Sequence, residues 1–174
     1  ERYDFLLSCH SLEHIANPIK ALHEWKRVVR QNGYLLFVIP HKDKTFDHKR
    51  PVTTLQHAIT DFEQQVTEDD STHFEEVILL HDLSKDMGNE SHDEFTKRVQ
   101  NNINNRSLHH HVFNARFTVE LLTHMNLEIL EAQLCSHHIV VLVQKKSNQI
   151  NNHYYLSSEC RLYQNCLLYT SPSP

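Results

Sequence analysis

Three ionisable side chains stand close together near the start of the chain, in the segment SCHSLEH. His10, Glu13 and His14 form the pattern H-x-x-E-H. Spacings of three and four place these side chains on one face wherever the segment turns helically. Two imidazoles and one carboxylate are a ligand set that divalent metals accept. The pattern allows three roles: a structural role for these residues, a role for His14 as a catalytic base, or a metal site.

A second polar segment, HKDKTFDHKRPVTTLQH, carries the next candidates. His41 or His48 is a candidate general base, because histidine titrates near neutral pH. Arg50 is a candidate for binding an anionic substrate, because a guanidinium holds anionic groups through paired hydrogen bonds. His57 is the second candidate for binding a substrate. The alternative is a capped loop in which Asp47 and Arg50 pair on the surface.

Later parts of the chain offer further ligands. Consecutive histidines on one strand or helix cannot all point the same way, so a run of three does not form a site by itself. The additional candidates are His73, Glu76, His81, Asp82 and the run His109, His110 and His111.

The apolar pattern predicts the elements that position these groups. Tyr3 to Leu7 is a short apolar run, which predicts a strand covered on both faces. Asn17 and Pro18 predict the start of a helix, and Gly33 predicts its end through a left-handed cap. The run from Tyr34 to Ile39 predicts a second strand. This order is a βαβ unit with parallel strands, and ligands bind at the carboxyl edge of such a sheet.

The segment that follows, 45–114, is polar, helical in pattern and rich in histidine. Thr53 or Thr54 predicts the start of one helix, and Ser91 with Glu94 predicts a capping box before another. A third apolar stripe begins at Phe74. We therefore predict three amphipathic helices, inserted where a substrate-binding cap is usual.

The pattern of a sheet returns in 115–146. Phe117, Leu121, Leu122 and Met125 predict a helix, and two strands then follow with a gap of two residues, which suits a hairpin. The fold class is therefore α/β, a Rossmann-like partial sheet with two parallel strands, a terminal antiparallel hairpin and a helical insertion.

Two segments carry a resemblance to a known family. SCHSLEHIANPIKALHEWKRVVRQNGYLLFVIP and HHHVFNARFTVELLTHMNLEIL resemble the fourth and fifth strands, and the late helix with its hairpin, of class I S-adenosylmethionine-dependent methyltransferases. The resemblance covers Tyr3 to Lys146 and implies a carboxyl-terminal half of that domain, residues 1–44 being part of its cofactor-binding sheet. It implies methylation of an oxygen or nitrogen atom of a small molecule or sugar.

The resemblance also implies site residues. Ser8, Cys9 and His10 would border the methionine and adenosine moieties of S-adenosylmethionine. H-x-x-E-H is similar to the E-x-x-E-H of metal-dependent O-methyltransferases, with His10 in place of the first Glu, which implies a divalent metal as an alternative mechanism. The family holds its cofactor with a glycine-rich loop, and with Gly33 and Gly88 alone this chain has no such loop. We therefore expect the chain by itself to be inactive. A histidine-rich metal-binding module without catalysis is the third alternative.

Composition sets the remaining expectations. The 174 residues include 16 histidines and carry a net charge of −5, with no Lys/Arg block for nucleic acid. Without a signal peptide or a long apolar run, we expect a cytoplasmic protein with a small-molecule substrate, no membrane partner and free cysteine thiols. We predict a tail at 147–165. Residues 166–174, CLLYTSPSP, resemble a translated sequencing adapter.

Overall fold

The computed structural model describes residues 2–86 and 89–163, and its centre is a four-stranded sheet. The first two strands of the chain are parallel. The third and fourth strands form an antiparallel hairpin, and the fourth strand also pairs antiparallel with the second. The predicted α/β class, with a parallel pair and a terminal hairpin, is therefore confirmed. The strands, in the sheet order β1-β2-β4-β3, are β1 (Tyr3–Cys9), β2 (Val29–Pro40), β4 (His138–Gln144) and β3 (Glu128–Cys135).

Seven α-helices occur in the described residues, all of them short. Among these helices, none is long and apolar enough to cross a membrane. They are α1 (Pro18–Val28), α2 (Leu55–Glu63), α3 (Phe74–Leu80), α4 (His92–Gln100), α5 (Asn102–Asn105), α6 (Ala115–His124) and α7 (His153–Leu156).

Helix α1 begins at the predicted residues and ends before the predicted position at Gly33. The Asn17 side chain accepts a hydrogen bond from the backbone N–H of Lys20, and Pro18 occupies the first turn, where its missing N–H costs nothing. The helix ends at Val28, and Gly33 lies inside β2, so the prediction of a glycine cap was wrong. Asn32 takes the left-handed conformation instead, with a φ of 61°.

Gly33 is required for a close approach of backbone segments. A Cβ atom at this position would lie 2.6 Å from Val29 Cγ1 and 2.9 Å from the carbonyl oxygens of Asp4 and Arg30. Two of these atoms are backbone and cannot turn aside. We expect Gly33→Ala to lower the free energy of unfolding by about 2 kcal/mol, measured by urea denaturation. The exposed control Gln133→Ala on β3 should change it by less than about 0.5 kcal/mol. Equal effects of the two variants would contradict this account.

The insertion contains the three predicted helices, α2, α3 and α4. Thr54 caps α2 by accepting from the His57 N–H, and Ser91 with Glu94 forms the predicted capping box of α4. The apolar stripes of α3 and α4 meet in a small core of their own, separate from the main one, made of Val77, Phe95, Val99 and Leu108.

The sheet is covered on one face by helices α1, α2 and α6. Side chains on this face are fully buried and include Leu35, Phe37, Ile139 and Val141. Strand β1 lies at the edge of the sheet, and its Tyr3, Phe5 and Leu7 are 60%, 48% and 58% exposed. The prediction that β1 is covered on both faces was therefore wrong, because in the described residues only one of its faces packs against helices.

The segment predicted as a tail packs on the body of the protein. The Asn152 side chain accepts from the Ile129 N–H and donates to the Leu127 carbonyl, each at 2.9 Å, while Cys160 and Leu162 lie in the main core. Cys9, Cys135 and Cys160 are free thiols, as predicted. The predicted adapter segment, 166–174, lies outside the described residues, and the domain boundaries stay predictions.

Candidate metal and methyl-transfer site

The first candidate cluster begins where β1 ends. Cys9 pairs with Val38 in the sheet register, and the His10 N–H donates to the Val38 carbonyl at 2.9 Å. His10 has a φ of 48°, which turns the chain away from the strand direction. The 3₁₀ turn Leu12–His14 follows at once. Strand end and turn together bring the H-x-x-E-H side chains to the carboxyl edge of the parallel pair, as the sequence predicts.

Glu13 is the unusual residue of this cluster. It is 0% exposed, and neither of its carboxylate oxygens has a hydrogen-bond partner among the described residues. His10 Nδ1 lies 3.4 Å and His14 Nε2 3.9 Å from Glu13 Oε1. Burial raises the pKa of Glu13, because a carboxylate without water or donors is costly to ionise. A buried acceptor of this kind calls for a compensating positive group.

Two imidazoles face this carboxylate with their tautomers set by hydrogen bonds. His14 Nδ1 donates to the Leu108 carbonyl at 3.1 Å, and His109 Nδ1 donates to Asp47 Oδ2 at 2.5 Å. Each bond leaves the lone pair on Nε2. The two rings lie 4.6 Å apart. Burial also lowers the pKa of His14 to about 4, so this imidazole is neutral at physiological pH and can act as a ligand.

Asp47, the residue that orients His109, is itself held by Arg50. The Arg50 guanidinium donates to Asp47 Oδ1 at 2.8 Å, to Glu76 Oε1 at 2.8 Å and to the His109 carbonyl at 2.9 Å. Burial alone would raise the pKa of Asp47, but the hydrogen bonds and charges of His109 and Arg50 outweigh it and lower that pKa. Arg50 is 1% exposed, so the alternative of a surface pair was wrong and the ion pair is buried.

The cluster fits a divalent cation. Glu13, His14 and His109 each offer one ligand atom, and these atoms lie within 4.8 Å of one another. Metal–ligand bonds of about 2.0–2.2 Å separate neighbouring ligand atoms by roughly 3.0–3.5 Å, so small movements would complete the site. A cavity of about 240 Å³ reaches His14 and His109 and is also lined by Asp47 and Arg50. One carboxylate with two imidazoles suits Zn²⁺, Mn²⁺ or Fe²⁺.

Other predicted site residues lie elsewhere or have other partners. His48 Nε2 is 2.7 Å from Asp82 Oδ2, and His41 Nδ1 accepts from the Asp43 N–H at 3.3 Å. His41 lines a different cavity. Ser8 is buried near the end of β1, whereas Cys9 is exposed. These two predicted cofactor-binding residues therefore differ in their access to a ligand.

The three consecutive histidines separate, as the sequence predicts. His109 joins the cluster of Glu13, while the His110 ring contacts the Asn102 amide at 3.1 Å. His111 belongs to a second group, which contains His57. Asp47 was predicted as part of a surface pair and is here the partner of His109. The H-x-D-x-x-x-D-H spacing of its segment gives no signal for a contact 62 residues away.

Comparison with known protein families gives a match over the first part of the chain. Residues 1–37 match the methyltransferase domain family model. The match includes β1, the H-x-x-E-H pattern and α1, and it supports the predicted resemblance to class I S-adenosylmethionine-dependent methyltransferases and methyl transfer in general. No curated protein matches the chain significantly.

One of the solved structures that match this chain is similar at a low level. It is the O-methyltransferase family 2 protein from Planctomyces limnophilus in complex with apigenin, with 9% identity and a TM-score of 0.41. The similarity covers 83% of this chain and 31% of that chain. The chain thus spans about a third of the length of that protein.

Proposed function

We propose that the protein belongs to a methyltransferase that moves the methyl group of S-adenosylmethionine to a hydroxyl oxygen of a small molecule, with a divalent cation held by Glu13, His14 and His109. The observation that carries this proposal is the Glu13 carboxylate, which is fully buried, lies near the rings of His10, His14 and His109, and has no hydrogen-bond donor among the described residues. A carboxylate in such a place costs free energy unless a cation accompanies it.

The residues of the chain would divide the work. Ser8, Cys9 and His10, at the carboxyl end of β1, would border the cofactor, which supplies a methyl group activated by the sulfonium. Glu13, His14 and His109 would hold the cation, which lowers the pKa of a bound hydroxyl and fixes its position. Asp47 and Arg50 act as positioning residues, because they set the tautomer of His109 and hold its backbone carbonyl.

The acceptor would enter through the cavity beside His14 and His109. Methyl transfer is an in-line displacement, so the main contribution of the protein is alignment of the acceptor oxygen with the methyl carbon. His10 is 42% exposed at its side chain and lies beside Glu13. Burial lowers the pKa of His10, and the neighbouring imidazole of His138 adds to the effect, so a neutral ring is available to accept the proton of the hydroxyl.

Chelation separates this proposal from methyl transfer by a protein base. We expect methyl transfer from radiolabelled S-adenosylmethionine to a panel of phenolic and sugar hydroxyl acceptors, measured with the intact protein, to fall more than about 100-fold after dialysis against EDTA. Addition of Mn²⁺ or Zn²⁺ should restore it. Activity that is unchanged after chelation would contradict the metal and favour a base such as His48, whose ring is oriented by Asp82.

A further inference from the structure

A second cluster of histidines lies in the insertion, apart from the Glu13 site. His57 and Asp61 stand one helical turn apart on α2, His73 precedes α3, and His111 comes from the segment before α6. The ligand atoms of the three histidines lie within 4.8 Å of one another. Nothing in the proposed methyl transfer uses these four residues together.

The distances within this cluster fit a tetrahedral cation. His57 Nε2 lies 3.1 Å from His73 Nε2 and 3.5 Å from Asp61 Oδ2. His111 Nε2 lies 3.7 Å from the same carboxylate oxygen. Ligand atoms at about 2.0–2.1 Å from a tetrahedral Zn²⁺ stand roughly 3.3 Å apart, which is close to the separation of His57 Nε2 and His73 Nε2. Asp61 lies beside the histidines as a negative charge.

Polar atoms in the cluster are buried without partners. Asp61 is 8% exposed, and its Oδ2 accepts no hydrogen bond from the described residues. His111 is 1% exposed and donates from Nε2 to the Ala16 carbonyl at 3.1 Å. Its Nδ1 then carries the lone pair, and within the described part of the chain that atom also has no partner. A cation held by the three histidines would occupy the lone pair of His111 and balance the charge of the Asp61 carboxylate.

The protonation states support the same conclusion. Burial lowers the pKa of His111 to about 3 and also lowers the pKa of His73, so both rings are neutral and present lone pairs. Burial raises the pKa of Asp61, and the charge of Asp70 adds to the effect. Two nearby carboxylates and neutral imidazoles form an environment that a dication stabilises and a proton satisfies incompletely.

We propose that His57, His73 and His111, with the carboxylate of Asp61 beside them, form a Zn²⁺ site that fixes the insertion to the rest of the fold. The three histidines come from three separate segments, so a bound cation would join α2, the start of α3 and the segment before α6. The site lies beside the start of α1, because the Asn17 side chain donates to the Asp61 carbonyl at 3.0 Å and His111 binds the Ala16 carbonyl. A cavity of about 240 Å³ lined by His57 and His73 provides an entry path.

Metal titration of single-site variants tests this proposal. Zn²⁺ and Co²⁺ would be titrated by calorimetry into the chelated chain, and we expect two equivalents in the parent and one in Glu13→Gln, which keeps only the second site. In the Glu13→Gln background, Co²⁺ should give the intense visible absorption of tetrahedral coordination. His57→Gln should remove it, and the exposed control His124→Gln should leave it unchanged.

The effect on stability is the second readout. We expect Zn²⁺ to raise the Tm of Glu13→Gln by several degrees, and this increase should disappear in Glu13→Gln/His57→Gln, since binding to the folded state alone stabilises it. His57 is half-exposed, so His57→Gln should fold, which circular dichroism would verify. Absence of Co²⁺ absorption in Glu13→Gln, or its persistence in the double variant, would overturn the site without affecting the Glu13 proposal. Loss of one of the two equivalents in Glu13→Gln, with the remaining Co²⁺ absorption lost in the double variant, would support both sites.

Discussion

Glu13→Gln is expected to weaken cation binding at the first site more than about 100-fold while making the metal-free protein more stable at pH 7. Loss of a residue that merely orients a ligand costs about 10–100-fold in affinity, so loss of a ligand costs more. Stability should rise because the substitution removes a buried carboxylate that has no hydrogen-bond partner among the described residues, a gain on the order of 1 kcal/mol.

The sign of the pH dependence makes this prediction specific. Burial places the pKa of Glu13 above its ordinary value of 4.5 in the folded state. As pH rises from this value through the folded pKa, the unfolded chain releases the proton first, and the folded state loses stability. The advantage of Glu13→Gln should therefore grow as the pH rises above 4.5 and disappear near pH 4.

Urea denaturation in EDTA at both pH values measures the stability, and calorimetric titration with Mn²⁺ measures the affinity. Glu75→Gln, an exposed residue on α3, is the matched control and should change neither quantity. A Glu13→Gln variant that is less stable than the parent at pH 7 would show that the carboxylate serves packing or hydrogen bonding. The proposal of a cation at Glu13 would then be wrong.

Elements with local signals were predictable from the sequence. Asn17 with Pro18, Thr54, and the pair Ser91 and Glu94 mark helix starts by interactions that span three residues, and all three helices begin there. The two-residue gap before β4 likewise predicted the hairpin. Such features need no knowledge of the tertiary structure, because both partners lie within one turn of the chain.

Features that depend on distant neighbours were not predictable. The apolar run of β1 indicates a strand, but its exposure depends on which elements cover the sheet, and Phe5 and Leu7 remain exposed in the described structure. Gly33 was expected to end α1, since glycine tolerates a left-handed cap. It is instead required by the close backbone approach of Asp4, 29 residues earlier.

The residues of the candidate site also divide into those that local spacing predicts and those that depend on distant neighbours. His10, Glu13 and His14 share one turn, so their spacing predicted the group. His109 was only one of many possible ligands, because the Asp47 contact that orients it joins residues 62 positions apart. In the second cluster, the carboxylate of Asp61 beside His57 was missed altogether. Its spacing of four from His57 places both on one face of α2, and this was a signal that the sequence did contain.

Arg50→Met is expected to cause the largest loss of stability, about 3–5 kcal/mol in the free energy of unfolding. Arg50 is 1% exposed and pairs with the buried carboxylate of Asp47 at 2.8 Å. Methionine fills much of the volume but leaves Asp47 with a buried charge that its guanidinium partner no longer balances. Since small domains are stable by about 5–15 kcal/mol, such a loss would remove a large share of the total.

Urea denaturation at pH 7 measures this loss against two further variants. Arg27→Met removes an ion pair with Glu24 whose side chains are 66% and 59% exposed, and it should cost less than about 0.5 kcal/mol. Arg50→Met/Asp47→Asn removes both charges and should be more stable than Arg50→Met alone.

The pKa of Asp47 lies below its ordinary 3.8 in the parent, so the stabilisation from the pair is present above this pH and lost as the pH falls through the folded pKa. A cost below about 1 kcal/mol for Arg50→Met, or a double variant no more stable than the single one, would show that Arg50 does not balance the charge of Asp47, and the orientation of His109 would then need another cause.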